Sequence, residues 1–299
     1  MAFYQPQPWR VDQTVPNPSA MNWIDSHCHL DALEFDLDRL EIRQAARQLG
    51  VVSCVIPAVE RANFKAVRDL AHQLQDFYAL GIHPLYTGKS QDGDLVFLRE
   101  EIDRSIDDLR LVAVGEIGLD GWVQSLDWAR QVHFYKEQLK LAHDFQLPVI
   151  LHVRKSADAL LKCLRATKVR GGIAHAFTGS LQQAEQFIEL GFCLGFGGAV
   201  SFDRAHRLRG LLKALPLSAI VLETDAPDIP PKWLYVQAQA RSQGQSQARN
   251  DSTQLLPIAQ VVAEIKGVAM DELARVTSLN VRRVLARMHA QENGPLTPD

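Results

Sequence analysis

The sequence predicts a (β/α)8 barrel of the TIM type, and three observations predict it. Eight short apolar runs, several of them β-branched, alternate along the chain with segments of helical periodicity. The runs are continuously apolar rather than alternating, as expected of a parallel sheet covered on both faces by helices. The 299 residues also suffice for eight such units, which commonly need about 250. An open doubly wound sheet is the alternative, but its first strand would usually lead into a Gly-rich phosphate turn, and His27-Cys28-His29 stands there instead.

In chain order, Trp23 to His27 reads as the first strand, and Phe35 to Leu49 carries apolar residues at helical spacing until Gly50 ends it. Val51 to Ile56 is the second strand, followed by a helix through Phe64, Val67, Leu70, Ala71 and Leu74. Further strands are expected at Phe77 to Ile82, Leu111 to Glu116, Val149 to His152, Gly172 to His175, Phe192 to Phe196 and Ala219 to Glu223. Helical segments fall between them around residues 94–108, 127–146, 155–168, 180–190 and 203–214. No linker divides this body, so residues 21–288 are expected to form a single catalytic barrel. Residues 1–20, with Pro6, Pro8, Pro16 and Pro18 among polar side chains, read as a loosely ordered extension without the basic start and apolar core of a secretory signal. One reading starts the working chain at Met21; residues 289–299 read as a flexible tail.

A hydrophobic fraction of 46% beside 22% charged residues is that of a soluble globular protein with a sizeable core. Since every apolar run is shorter than the roughly 18 residues a span requires, no membrane partner is expected. A net charge of -3, from 32 basic and 35 acidic residues, excludes a polycation that condenses on nucleic acid, so any phosphate binding must be local. Cys28, Cys54, Cys163 and Cys193 are widely spaced without a Cys-x-x-Cys pair. They read as reduced buried thiols of a cytoplasmic protein.

The candidate chemistry begins at His27-Cys28-His29. Alternate side chains of a strand share a face, so His-x-His at a strand end aims two imidazoles at one point, with Cys28 turned the other way. Alone the motif is short enough to be incidental. The other strand ends supply context: His83 after the third strand, Glu116 after the fourth, His152 after the fifth, His175 after the sixth and Asp225 after the eighth. In a barrel all carboxyl ends open onto one face, so His27, His29, Glu116, His152, His175 and Asp225 would converge as a metal-ligand set. Singly, each is as readily a hydrogen-bonded cap. His83, in Gly81-Ile82-His83-Pro84, fits either a substrate contact or a structural turn. His72, His133, His143, His206 and His289 fall in helix-like segments and read as solvated or packed side chains.

Asp25-Ser26-His27-Cys28-His29-Leu30-Asp31, Gly81-Ile82-His83-Pro84, Gly115-Glu116-Ile117-Gly118-Leu119-Asp120, Leu147-Pro148-Val149-Ile150-Leu151-His152, His175-Ala176-Phe177-Thr178-Gly179-Ser180 and Glu223-Thr224-Asp225-Ala226-Pro227 together resemble, in order and spacing, the motifs of TatD-type metal-dependent deoxyribonucleases, closest to their uncharacterised hydrolase branch. The resemblance runs from about residue 23 to 286. It implies an amidohydrolase-superfamily barrel with two divalent metal ions. His27 and His29 would bind one with Asp225, His152 and His175 would bind the other, and Glu116 would bridge them, with Asp225 and Glu116 the catalytic carboxylates. Histidine-rich ligation suits zinc or manganese, whereas the resemblance suggests magnesium.

For substrate, Arg154 and Lys155 are candidate phosphate contacts, with a solvated helix start as the alternative. The stretch Ile229 to Asn250 contains no acidic residue and offers Lys232, Arg241, Arg249, Trp233 and Tyr235, a mix suited to gripping a single strand or equally to anchoring a polar loop. Arg249 and Asn250 stand where the family carries a phosphate-contacting element, here without its proline, and Gly121 precedes Trp122 where an aromatic is usual after Asp120. Three functions remain open at this level: a nuclease or phosphodiesterase acting on DNA, single-stranded or at ends, or on a small phosphodiester; another superfamily reaction on a small amide, ester or phosphoester; and a metal-bound partner-binding protein whose chemistry has lapsed.

Overall fold

Eight parallel strands stand side by side in sequence order in the computed structural model, which describes residues 21–288. The expected extension 1–20 and tail 289–299 lie outside the described residues. The strands are β1 (Trp23–Asp25), β2 (Val51–Pro57), β3 (Phe77–Leu80), β4 (Leu111–Asp120), β5 (Val149–Arg154), β6 (Gly172–His175), β7 (Phe192–Phe196) and β8 (Ile220–Leu222). Past the last strand the sheet meets its own first edge. The Ser26 amide donates to Leu222 O at 3.0 Å and the Asp225 amide to His27 O at 2.9 Å. The result is the (β/α)8 barrel that the strand count implies.

Seven helices follow the first seven strands: α1 (Arg39–Gln48), α2 (Phe64–Leu74), α3 (Asp92–Arg104), α4 (Trp128–Asp144), α5 (Ala157–Ala166), α6 (Leu181–Glu189) and α7 (His206–Ala214). The runs are continuously apolar because both strand faces are covered. Val55, Ile150, Ile173, Cys193 and Val221 fill the barrel interior, while their neighbours Cys54, Ile56, Val149, Leu151, Ala174, Leu194, Ile220 and Leu222 pack outwards under the helices. All four cysteines are free and buried, and Cys28 Sγ turns to Val55 O at 3.8 Å.

Beyond β8, where no element is expected from the sequence, the structure has α8 (Ala238–Ser242), α9 (Leu255–Lys266) and α10 (Met270–Val284). In α9 the cause is composition: Leu255, Leu256, Pro257, Ile258, Ala259, Val262 and Ala263 are all buried, so no polar stripe marks the helical period. The end of α10 closes the amino-terminal side of the barrel, where Val281, Val284, Leu285 and Met288 join the interior cluster. Below the first two strands, Arg43 of α1 is fully buried and grips Asp76 at 2.6 and 2.7 Å while donating to Val51 O and Val52 O. Asp76 Oδ1 also accepts from the Cys54 amide at 2.9 Å, so the pair fastens α1, β2 and the turn before β3.

Candidate metal centre

Strand ends position the polar cluster. β1 stops at Asp25, and His27 and His29 lie on the segment just past it rather than within the strand. Asp25 supports that segment from below. It is fully buried, accepts from the Thr224 amide at 2.9 Å and from Thr224 Oγ1 at 2.6 Å, and burial raises its carboxyl to about 6. β4 runs four residues beyond its expected end at Glu116, because Ile117 and Leu119 continue the apolar face towards the helices. Glu116, Gly118 and Asp120 then share the other face. On β5 and β6, His152 and His175 follow the interior residues Ile150 and Ile173 by two positions and are paired directly across the ladder.

Glu116 is the centre of the cluster and presents one oxygen to each side. Its Oε2 lies 3.1 Å from His27 Nε2 and 3.5 Å from His29 Nε2. Its Oε1 lies 3.0 Å from His152 Nδ1, 3.0 Å from His175 Nε2 and 3.2 Å from His83 Nε2. Asp225 Oδ1 completes the first side, 3.4 Å from His27 Nε2 and 3.8 Å from His29 Nε2. The His27 and His175 rings stack at 3.9 Å, nearly parallel at 9°. All six expected ligands therefore meet at one mouth.

His83 joins them in a different capacity. Its Nδ1 accepts the Leu85 amide at 3.1 Å, which assigns the proton to Nε2 by hydrogen-bond logic. That N–H points at the space between Glu116 Oε1 and His152 Nδ1, the latter 3.0 Å away. A protonated nitrogen is a donor to oxygen, not a ligand.

Two carboxylates that the sequence reading did not single out stand behind the ligands. Asp120 Oδ2 is 3.1 Å from His152 Nε2, while its Oδ1 accepts the Trp122 and Val123 amides at 2.7 and 3.0 Å. Burial alone would raise Asp120, but these hydrogen bonds, His152 first, bring it to about 2. Glu223 Oε1 accepts the Ala176 amide at 2.5 Å and lies 3.7 Å from His175 Nδ1. Parity carried the signal for both: Asp120 is four strand positions past Glu116, and Glu223 is two past the interior Val221.

Elsewhere in the cluster, burial pushes Asp225 up to about 7 and holds His27 well below its ordinary value. Burial would lower His29 too, yet the hydrogen bond and charge of Glu116, with the Asp225 and Asp31 carboxylates, carry it to about 9. Glu116, despite burial, is held well below the carboxylate range by the surrounding imidazoles.

The donor chemistry fits divalent cations. His27 Nε2 and His29 Nε2 face each other at 3.2 Å with Glu116 and Asp225 oxygens alongside, so two imidazole nitrogens and two carboxylates turn to one point. Candidate ligand atoms lie mutually within 4.8 Å in His27–His29–Asp225 and in His27–Glu116–His175, and His83 is equally close to Glu116 and His152 as a donor. Imidazole nitrogen and carboxylate oxygen are the donor set of zinc and manganese, and of magnesium through its carboxylates.

The remaining candidates behave differently. Arg154, the last residue of β5, and Lys155, just past it, are exposed at the mouth. Arg249 is spent on Asp38, at 2.6 and 3.0 Å, and on the Glu34 carbonyl, with its guanidinium over Phe35. Asn250 is fully buried, donating to Thr224 O at 2.8 Å and Asp228 O at 2.7 Å. In the structure both anchor the long loop, with the Arg249 guanidinium and the Asn250 side-chain N–H groups engaged by the chain itself. The rest of that loop follows the anchoring alternative. Lys232 pairs with Asp203 at 3.1 Å, Trp233 Nε1 donates to Gln254 Oε1 at 2.9 Å, and Tyr235 packs edge-on against Phe202 while Arg241 lies 6.0 Å from its ring.

Such a donor set, at the end of the barrel where enzymes of this fold keep their active sites, belongs to a metal-dependent hydrolase. Comparison with known proteins narrows the class. The family described as TatD related DNase matches residues 24–286. The uncharacterized metal-dependent hydrolase YjjV of Escherichia coli K12 is 40% identical over 255 residues, covering 85% of this chain and 93% of its own. Human deoxyribonuclease TATDN3 is 28% identical over 278 residues, 89% of this chain and 95% of its own. The crystal structure of the Escherichia coli YjjV protein superposes with a TM-score of 0.80 at 38% identity, over 88% of this chain and 97% of that one. The chain belongs to the TatD-related DNase family.

Proposed function

We propose that this hydrolase cleaves phosphodiester bonds of DNA, at single-stranded segments or ends, with a centre that holds two divalent metal ions. The supporting observation is Glu116, which directs Oε2 to the His27 and His29 imidazoles and Oε1 to those of His152 and His175. In this reading His27, His29 and Asp225 would hold one cation and His152 and His175 the other, with Glu116 available to both. Manganese or zinc suits the imidazoles best, with magnesium the alternative. Cations bound there supply Lewis acidity and a lowered pKa for water, which is the chemistry a phosphodiester needs.

The protein's own groups do the rest. Asp225 Oδ1 faces His27 and His29, leaving Oδ2 to take the proton from the attacking water. His83 Nε2–H is aimed at the other side of the centre, between Glu116 Oε1 and His152 Nδ1, and would donate to a phosphoryl oxygen as charge builds on it. Arg154 and Lys155 at the rim would neutralise flanking phosphates. The human relative's name, a deoxyribonuclease, agrees with this substrate class. The cytoplasm, where the free buried cysteines remain reduced, is the proposed location; among the described residues no helix is long and apolar enough to cross a membrane.

The test is an assay of metal-loaded protein on end-labelled single- and double-stranded DNA and on a chromogenic phosphodiester, beside Asp225→Asn. The variant should lose at least roughly 100-fold in kcat, the scale of a general base. Undiminished cleavage by Asp225→Asn would reject the assignment.

A further inference from the structure

The geometry points to a nucleobase-stacking subsite formed by Trp122, with Arg154 and Lys155 binding the phosphate attached to that base. The inference rests on the phosphodiesterase reading and adds to it how a single strand is held.

Trp122 is 54% exposed beside the metal centre, although an indole gains most from burial. Lys155 Nζ lies 4.0 Å from its ring centroid and Arg154 Cζ 5.4 Å. Neither cation has a carboxylate partner among the described residues, whereas Arg249, Lys232 and Arg61 are paired with Asp38, Asp203 and Asp94. A half-exposed indole flanked by cations without carboxylate partners is the composition that grips single strands, by stacking and by charge.

The platform is fixed in place. The Gly121 amide donates to Arg154 O at 2.8 Å, Ser156 Oγ donates to Leu119 O at 2.6 Å, and a Cβ at Gly121 would come within 2.6 Å of Lys155 O. The loops after β4 and β5 are thus clasped backbone to backbone, a contact that Gly121 permits. Lys155 adopts φ 51°, a left-handed conformation unfavourable for a lysine and held here by that clasp. Asp120 ties the platform to the chemistry, since one of its oxygens holds the Trp122 amide and the other faces His152. Arg154 lies two residues past His152 on β5, or roughly 7 Å along the strand, and Trp122 follows Asp120 by two residues in the bend after β4. A phosphate between the cations would put its base against the indole while the next phosphodiester enters the cluster.

The experiment uses the full chain loaded with manganese, a single-stranded oligothymidylate and the chromogenic phosphodiester, comparing native protein with Trp122→Ala, Trp122→Phe and Trp128→Ala. Trp128, 42% exposed at the start of α4, controls for loss of a surface indole. Trp122→Ala should raise KM for the oligonucleotide by roughly 10-fold with kcat little changed, Trp122→Phe should recover most of it, and Trp128→Ala should match native. Oligothymidylate should also quench native tryptophan fluorescence, and this quench should vanish in Trp122→Ala. An unchanged KM and an unchanged quench in Trp122→Ala overturn the subsite. Turnover of the chromogenic ester without oligonucleotide binding overturns the subsite and leaves the phosphodiesterase reading standing. Trp122-dependent quenching without turnover of either substrate supports the subsite and rejects the nuclease reading.

Discussion

His152 and His175 show how much a single residue depends on what stands behind it. His152 offers Nδ1 to Glu116 because Nε2 is engaged by Asp120, and His175 offers Nε2 because Nδ1 faces Glu223. At His152 the hydrogen-bonded carboxylate on the far nitrogen fixes the tautomer, aims the ring and raises ligand basicity, whereas Glu223, 3.7 Å from His175 Nδ1, acts on that ring by charge. Asp120→Asn and Glu223→Gln keep size and most hydrogen bonding but lose the negative charge. Each should weaken metal binding about 10- to 100-fold, read by calorimetric titration of the chelated protein. Native affinity in both variants would show that these carboxylates only brace the backbone. Glu223 has little room to relocate, since even a Cβ at Gly195 would collide with its carboxylate.

At the scale of elements, a buried ion pair fastens α1 to the barrel. Arg43 and Asp76 are wholly enclosed, so truncating the arginine leaves an uncompensated carboxylate and two carbonyls without donors. Arg43→Ala should cost about 3–5 kcal/mol in urea unfolding, and a loss below about 1 kcal/mol would mean that water enters and solvates Asp76. Lysine should not restore the stability, because it cannot reproduce the two-pronged grip. The sequence showed β2, β5, β6 and β7 nearly to the residue, because two-sided burial writes a continuous apolar run. It did not show that β4 reaches Asp120, since Gly115, Glu116 and Gly118 interrupt the apolar run, nor α9, whose burial on nearly all sides erases its period. The candidate ligands His27, His29, Glu116, His152, His175 and Asp225 were legible from their places at or just past strand ends. The engagement of Arg249 with Asp38 and of Asn250 with the Thr224 carbonyl was not legible, because a motif records residue types but not their partners.

For the whole molecule, the barrel brings residues nearly 200 positions apart into contact, and the cost is a cluster of imidazoles and carboxylates in a largely buried space. Glu116, His27 and His175 are each at most 3% exposed, and His27 Nδ1, His175 Nδ1 and Glu223 Oε2 are buried without a hydrogen-bond partner among the described residues. Buried polar groups left so are destabilising unless a ligand or water satisfies them. Cations bound only by the folded barrel should therefore stabilise the entire fold: at free metal 100 times the dissociation constant, one site contributes about 2.7 kcal/mol. For a chain of this size that corresponds to a rise in Tm of several degrees, on the order of 2–4 °C per kcal/mol. Differential scanning calorimetry should find the chelated protein lower in Tm and restored by manganese or zinc. His27→Ala with His29→Ala should retain only part of the rise, since His152, His175 and Glu116 remain. A Tm independent of metal in the native protein would mean that the cluster is satisfied without cations, and the two-metal reading would fail with it.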